Sequence, residues 1–245
     1  MKILKRDPFG NILFIKKNLI RILGKLTHNR FKSINNLRIQ GSEIINSLPE
    51  RNVLFVANHQ TYFADAIAMC HVFNASLNGR VNSIEDISYM KNPKLNIYFI
   101  AAKETMNSGL LPKILSYAGS IPISRTWREN EKSINRPINI GEIDNIHKSL
   151  EDGWLITFPQ GTTRPFAPIR KGTAHIIKKT KPLVVPIVID GFSRSFDKTG
   201  IKIKKKGITQ SLKIKKPLEI DYVNDSIEKI TEKISISIEQ HSSFK

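Results

Sequence analysis

A histidine and an aspartate six positions apart are the residues of this sequence best placed to do chemistry. His59 follows an apolar stretch, residues 52–57, that predicts a buried strand, and Asp65 falls at the start of a predicted helix. A turn between them can bring the two side chains together. Asp65 would then accept the imidazole N–H, which leaves the other ring nitrogen free to take a proton from a hydroxyl group. The pair would suffice for acyl transfer without a covalent enzyme intermediate.

The His/Asp pair has few competitors in the sequence. A histidine that is merely solvated, or that caps a helix, is commoner than a catalytic one, but the position at a strand exit favours catalysis. The sequence lacks G-x-S-x-G, P-loop, G-x-G-x-x-G and H-E-x-x-H patterns. Hydrolase, nucleotide-binding and metalloprotease interpretations therefore lack their signatures.

Further blocks extend the pair into an ordered pattern. The blocks are Asn58-His59 with Asp65, Gly119-Ser-Ile-Pro-Ile-Ser-Arg125, Phe158-Pro-Gln-Gly-Thr162 and Val184-Val-Pro-Ile187. With them the sequence resembles the 1-acylglycerol-3-phosphate acyltransferase family over residues 52–192. The resemblance implies an α/β acyltransferase fold with His59 as general base and Asp65 as its partner. It also implies transfer of a fatty acyl group from acyl-CoA or acyl carrier protein to a lysophospholipid hydroxyl, with phosphatidate as the expected product.

The resemblance also implies a substrate-binding set and no metal or bound cofactor, since the acyl donor is itself a substrate. Arg125 is expected to hold the anionic head of the acceptor, a task suited to a planar bidentate donor. The residues expected to bind substrate beside it are Asn58, Gln160, Gly161, Thr162, Arg164 and Lys171. Lys171 is included because it precedes a predicted helix N-terminus, where phosphate or carboxylate oxygens bind well. A solvated basic turn explains that lysine equally well.

The third block departs from the family pattern Phe-Pro-Glu-Gly-Thr-Arg-Ser. Gln160 replaces the glutamate, Thr163 the arginine and Arg164 the serine. A glutamine keeps an acceptor oxygen and adds an N–H donor but loses the charge, so we expect altered acceptor selectivity. Arg164 could supply the displaced positive charge. A lyso-aminolipid acceptor therefore stays open as an alternative.

The elements needed to position these residues alternate between strand and helix. We expect a single-domain α/β fold, a mixed, mostly parallel sheet covered by helices. The predicted strands are residues 37–40, 52–57, 97–102, 121–124, 154–158, 183–189, 201–206 and 211–218. The predicted helices are 9–26, 63–72, 110–117, 140–151, 173–179 and 226–239, the last capped by Asn224 or Asp225. Residues 1–30 form an amphipathic helix in this interpretation, and residues 31–245 form the acyltransferase domain.

Charge and amphipathicity predict a membrane partner. The net charge is +18, and residues 9–26 place apolar side chains at three- and four-residue steps opposite cations. Such a helix can lie in the headgroup layer of an anionic bilayer, although a helix docked on its own domain shows the same pattern. The sequence has neither a cleavable signal peptide nor an apolar run of the roughly 20 residues that span a bilayer. We therefore expect a peripheral protein at the cytoplasmic face of the membrane.

A nucleic-acid-binding module is the alternative from another class. Two basic strips, residues 201–206 and 213–216, could follow phosphates, but neither contains an aromatic side chain on which a base could stack. We therefore expect no nucleic-acid partner. Lysines alternating with isoleucines are more typical of strands with a solvated basic face.

Overall fold

The described residues form one sheet of seven strands. A computed structural model describes residues 5–106, 109–124 and 140–245. The strand order is β1-β7-β6-β2-β5-β3-β4. The strands are β1 (Asn36–Gln40), β2 (Val53–Ala57), β3 (Ile97–Ala102), β4 (Ser120–Ile123), β5 (Trp154–Thr157), β6 (Leu183–Asp190) and β7 (Thr209–Ile214).

Strand direction decides where functional loops meet. β2 is central and pairs in parallel with both β5 and β6, while β3 pairs in parallel with β5 and β4. β7 runs antiparallel to β6 and parallel to β1. The carboxyl ends of β2, β3, β4, β5 and β6 therefore meet at one edge of the sheet. The predicted α/β fold with a mixed, mostly parallel sheet is confirmed.

Helices cover both faces of the sheet, as a parallel sheet requires. The helices are α1 (Leu13–Lys32), α2 (Ala64–Leu77), α3 (Lys103–Met106), α4 (Leu110–Tyr117), α5 (Ile140–Asp152), α6 (Lys171–Thr180), α7 (Phe192–Ser195) and α8 (Ile227–Ser237). Short 3-10 helices span Ser42–Ser47, Ile87–Lys91 and Ser242–Phe244.

The buried strand β2 divides the core into two layers. Alternate side chains point to opposite faces of a strand, so Phe55 packs on one side and Leu54 on the other. The Phe55 layer includes residues of α1 and α2, and the Leu54 layer includes residues of α5, α6 and α8. Every residue of β2 is buried, which explains why this strand appears in the sequence as an uninterrupted apolar run.

The N-terminal helix begins later and ends later than predicted. It spans Leu13–Lys32 rather than residues 9–26. The Asp7 carboxylate accepts the backbone N–H groups of Phe9 and Asn11, so this stretch folds as a turn instead of a helix. The boundary predicted at residue 30 falls inside α1, whose last turn packs into the core through Phe31.

α1 is docked on the domain yet keeps apolar residues in solvent. Gly24 allows close packing, because a Cβ there would lie 3.0 Å from the Met90 side chain. On the outer side Ile22 is 56% exposed and Leu26 is 69% exposed, and Phe14 is also exposed. None of the helices in the described ranges is long and apolar enough to cross a bilayer.

The prediction of a strand at residues 201–206 is wrong. The segment is a turn held by the Asp197 carboxylate, which accepts the backbone N–H groups of Ile201 and Lys202. A single antiparallel bridge joins Phe196 to Ile203. The alternation of lysine and isoleucine in this segment therefore reflects a turn that packs one side on the protein and exposes the other.

Other boundaries also differ from the sequence-based prediction; the largest difference is in α2, which continues to Leu77 where the predicted helix ends at residue 72. Ser226 caps α8 by accepting the Lys229 N–H, so neither Asn224 nor Asp225 is the cap. β7 begins at Thr209 and ends at Ile214, earlier than the predicted strand 211–218.

Candidate active site

His59 and Asp65 meet at the carboxyl end of β2. His59 Nδ1 lies 2.8 Å from Asp65 Oδ2. The Asp65 side chain is fully buried, whereas 13% of the His59 side chain is exposed. A carboxylate accepts hydrogen bonds, so Nδ1 donates, and in a neutral ring Nε2 is then the nitrogen that can accept a proton. Nε2 has no hydrogen-bond partner among residues 5–106, 109–124 and 140–245.

The turn between the two residues is folded around the Asp65 carboxylate. Asp65 Oδ2 accepts the backbone N–H of Gln60 at 2.6 Å and that of Thr61 at 3.0 Å. Thr61 Oγ1 donates to Asp65 Oδ1 at 2.7 Å. These donors fix the carboxylate, which in turn fixes the His59 ring. Asp65 also lies in the first turn of α2, where the helix dipole favours negative charge.

Phe158 holds the other side of the imidazole. It directly follows β5, the parallel neighbour of β2, and its ring stacks on His59 with centroids 3.9 Å apart and planes 19° apart. The histidine is thus oriented by a carboxylate at one edge and an aromatic face against its plane. Its Nε2 edge is the part of the ring left for a substrate.

Asn58 joins the same turn to β6, and Gln60 joins it to the start of α7. The Asn58 amide donates to Ile189 O at 2.8 Å and accepts the Ile189 N–H at 2.8 Å. Gln60 Oε1 accepts the Phe192 N–H at 2.9 Å. Asn58 was predicted to bind substrate, and the structure uses its amide to join two strand ends.

Gln160 lies inside the loop that follows β5. Its side chain is buried, and Nε2 donates to Ala167 O at 2.9 Å and to Gln240 Oε1 at 3.1 Å. The loop that carries the third block is therefore joined to the C-terminal end of the chain. Contact between Gln160 and an acceptor stays a prediction.

Gly161 occupies a backbone conformation that favours glycine, with φ of +62°. A Cβ atom there would lie 2.5 Å from the guanidinium carbon of Arg170. Arg170 Nη2 donates to Gly161 O at 3.4 Å, and the Arg170 N–H donates to Pro159 O at 3.0 Å. The loop after β5 is therefore closed upon itself just before α6.

Three further residues of the predicted set, Thr162, Arg164 and Lys171, are partly or fully exposed. Thr162 Oγ1 accepts the Arg164 N–H at 3.3 Å, and the Arg164 side chain is exposed. Lys171 Nζ pairs with Glu228 Oε1 of α8 at 2.8 Å, with both side chains mostly exposed. Lys171 is therefore directed toward α8 and not toward the His59 turn.

Arg125 lies outside the described residues. Its neighbour Ser124 directly follows β4 and is held by Glu142. Glu142 Oε1 accepts the Ser124 N–H at 2.9 Å and the Lys103 ammonium at 2.8 Å. Burial raises the pKa of Glu142, but the hydrogen bonds from Lys103 and Ser124 outweigh it and leave the pKa lowered. This cluster fixes the carboxyl end of β4 beside that of β3.

Several contributing residues were not singled out from the sequence. Thr61 lies between His59 and Asp65, and Phe158 begins the third block. Their positions within the motif blocks could have indicated that both lie near His59. Lys103 lies directly after a predicted strand, which is also a recognisable position. Gln240 is eighty residues away from Gln160 along the chain, and nothing in the sequence pattern indicates it.

The comparisons with known proteins decide the family. The Acyltransferase family model matches residues 36–190, from the first residue of β1 to the last of β6. The chain belongs to the Acyltransferase family. The enzyme is an acyltransferase, and the strand-end His/Asp pair lies within the matched region.

A solved structure shares the fold of this acyltransferase. It is the 1-acyl-sn-glycerophosphate (LPA) acyltransferase PlsC from Thermotoga maritima, matched with a TM-score of 0.58 and 19% identity. The match covers 92% of this chain and 79% of that chain. None of the curated proteins compared matches the chain.

Proposed function

We propose that the acyltransferase moves a fatty acyl group from a thioester donor to the hydroxyl of a lysophospholipid, most simply 1-acylglycerol 3-phosphate. The observation that carries the proposal is the His59–Asp65 pair at a strand end, whose Nε2 edge has no hydrogen-bond partner in the part of the chain that the structure describes. No serine or cysteine nucleophile is needed, because the acceptor hydroxyl itself attacks.

In the proposed reaction, His59 Nε2 removes the hydroxyl proton as the oxygen attacks the thioester carbonyl carbon. Asp65 stabilises the imidazolium that forms. The C–S bond then breaks, and the imidazolium returns its proton to the leaving thiolate. The products are an oxygen ester and a free thiol, and the enzyme regains its starting protonation state.

A lipid acceptor is supported by apolar residues beside the site. Phe63 follows the catalytic turn and packs in a buried cluster with Met106 and Leu115. Leu23 of α1 packs against the same cluster, and Ile22 and Leu26 on that helix are exposed. Apolar side chains thus connect the outer face of α1 with the start of α2, a suitable environment for an acyl chain near the reacting groups.

Membrane binding through α1 belongs to the same proposal. Apolar residues on the outer face of the helix would enter the headgroup layer, and the net charge of +18 would attract anionic lipid. The lysolipid acceptor would then be taken from the surface on which the enzyme sits. In this proposal the protein is peripheral and lies at the cytoplasmic face.

The thioester donor is proposed to approach from water, as acyl-CoA or acyl carrier protein. Both donors are anionic. The turn at residues 197–203 carries exposed Lys198 and Lys202, and Lys198 O accepts the Tyr62 N–H at 3.1 Å. Positive charge next to the catalytic turn favours either donor.

An acyl-transfer assay with purified protein tests the proposal. Acyl-CoA and acyl carrier protein are crossed with lysophosphatidate, glycerol 3-phosphate and a lyso-aminolipid, and products are identified by mass spectrometry. Phosphatidate formed from lysophosphatidate is the expected product. Preferred acylation of the lyso-aminolipid would support the alternative acceptor, which the neutral Gln160 keeps open. Failure of every combination would contradict the proposed function.

A further inference from the structure

The loop after β5 is joined to the C-terminal end of the chain by two glutamine side chains. Gln240 Oε1 accepts two hydrogen bonds, one from Gln160 Nε2 at 3.1 Å and one from the Phe166 N–H at 2.8 Å. Gln240 Nε2 donates to Glu239 O at 2.9 Å, so its amide has a fixed orientation. One side-chain oxygen therefore joins the beginning of the loop, at Gln160, to its middle, at Phe166.

The backbone on both sides of this contact is held in an uncommon conformation. Phe166 has φ of +55° and Glu239 has φ of +56°, values that residues with a side chain rarely adopt. Lys215 of the segment after β7 pairs with Glu239 at 2.7 Å. Such conformations persist only where the surroundings determine them, so the arrangement is specified from several directions.

The contact also accounts for the unusual residue of the third block. Gln160 Nε2 donates to Ala167 O and to Gln240 Oε1, both of which are acceptors. A glutamate at this position would set a carboxylate against two oxygens. The Gln240 amide could turn to donate to that carboxylate, but its oxygen would then leave the Phe166 N–H. The glutamine at position 160 is thus matched to Gln240.

We propose that Gln240 is a positioning residue for acyl transfer: it holds the loop that carries Gln160, Gly161 and Thr162 in its working shape from outside the matched family region. Gln240 acts through Gln160 and Phe166. The inference deepens the proposed function and rests on it for the kinetic part of its test. Its structural part is independent, since the exchange of the Phe166 amide hydrogen reports the contact in any case.

Three variants separate the contact from general stability. Gln240→Leu keeps the side-chain size but removes the accepting oxygen. Gln240→Glu keeps an oxygen that can accept both hydrogen bonds but loses the N–H donated to Glu239 O. Ser237→Ala is the matched control, because Ser237 lies at the same helix end and donates only to Ile234 O. Amide hydrogen exchange, the melting temperature, and kcat and KM for each substrate are measured for all of them.

The expected result is a selective loss. Gln240→Leu should accelerate exchange at Phe166 and lower kcat/KM for the acceptor by about tenfold, with the donor KM unchanged. Gln240→Glu should lose less than Gln240→Leu, because one oxygen can still accept from Gln160 and Phe166, and Ser237→Ala should match wild type. Gln160→Glu combined with Gln240→Leu should lose less than the product of the two single losses, because both break the same contact.

The proposal is overturned if Gln240→Leu keeps normal Phe166 exchange and normal acceptor kinetics. It is also overturned if Ser237→Ala slows acceptor turnover as much as Gln240→Leu, since the loss would then not be specific to the contact. A wild-type enzyme that acylates none of the lysolipids would contradict the proposed function instead. In that case slow Phe166 exchange in wild type and fast exchange in Gln240→Leu would still support the contact.

Discussion

At the scale of single residues, Asp65 is held by more donors than an amide could accept. Its two oxygens take hydrogen bonds from His59, Gln60 and Thr61. Asp65→Asn replaces one oxygen with an NH₂ group, which cannot accept the hydrogen bonds that the carboxylate accepts. If this NH₂ group donates to Nδ1, the ring proton moves to Nε2, and Nε2 can no longer act as the base. We expect kcat to fall by about a hundredfold to ten-thousandfold. Steady-state kinetics check this, with Asp86→Asn, an exposed carboxylate far along the chain, as the control; a normal kcat in Asp65→Asn would contradict the assigned role.

The stacking of Phe158 on His59 gives a second prediction at this scale. Phe158→Leu keeps an apolar side chain but removes the flat face that restrains the imidazole. An aromatic pair contributes about 0.5–1.5 kcal/mol beyond its buried area, so kcat should fall by about two- to tenfold. Phe73→Leu is the control, because Phe73 stacks on Phe55 in the core. That variant should lower the melting temperature and leave kcat unchanged; equal kcat losses in both variants would refute a specific role for Phe158.

The sequence predicted the contact between His59 and Asp65 but not everything that orients the His59 ring. His59 and Asp65 are close in the chain, so a single turn joins them and spacing alone indicates the contact. Phe158 reaches His59 because β5 lies beside β2, and only the strand order makes that visible. Gln240 lies after the end of α8 and eighty residues from Gln160 along the chain, and no local sequence pattern predicts such a contact.

At the scale of elements, Glu142 joins the carboxyl ends of β3 and β4. It accepts hydrogen bonds from Lys103 and Ser124, and its pKa is lowered from the usual 4.5. A carboxylate with a lowered pKa stabilises the fold fully above its unfolded pKa and loses that effect as the pH falls through the folded value. We expect unfolding free energy to fall below about pH 4.5 partly through Glu142.

Chemical denaturation across this pH range checks the Glu142 prediction. Glu142→Gln should be less stable than wild type at pH 7 by about 1–3 kcal/mol, since charge-assisted bonds are lost. The difference should shrink as the pH falls below the usual carboxyl pKa. Glu151→Gln, at the exposed far end of α5, is the control. A stability difference that does not change with pH would show that the Glu142 charge has no part in it.

The sequence predicted the bounds of an element correctly where its apolar run ends at turn residues. It failed where a turn has the alternating pattern of a strand. β3 and α4 have the predicted bounds, since each is a compact apolar or amphipathic run between turn residues. Residues 201–206 alternate as a strand does, but the Asp197 carboxylate organises them as a turn. A single side chain four residues away thus outweighs the alternation.

At the scale of the whole molecule, the exposed face of α1 should bind anionic vesicles. Replacing Ile22 and Leu26 with glutamate adds two charges to a face that would enter the headgroup layer. Each buried aliphatic side chain contributes about 1.5–3 kcal/mol, so the partition coefficient should fall by more than about tenfold. Val223→Glu is the matched control, because Val223 is 77% exposed and lies in the segment before α8.

Vesicle sedimentation at rising salt concentration measures this binding. Wild type should bind vesicles that contain phosphatidylglycerol less strongly as salt screens the charge. Undiminished sedimentation of a folded Ile22→Glu/Leu26→Glu protein would mean that α1 serves only as a helix of the domain. The amphipathic pattern alone does not separate the two roles, because α1 buries one face on the domain and exposes apolar residues on another.

We propose above all that His59 removes the acceptor proton in acyl transfer to a lysolipid. The most direct measurement is the rate of phosphatidate formation by wild type and by His59→Ala under saturating donor and lysophosphatidate, with folding checked by melting temperature. We expect wild type to form phosphatidate, and we expect His59→Ala to be slower by at least about a hundredfold with its fold intact. A folded His59→Ala protein that forms phosphatidate at the wild-type rate would contradict the claim.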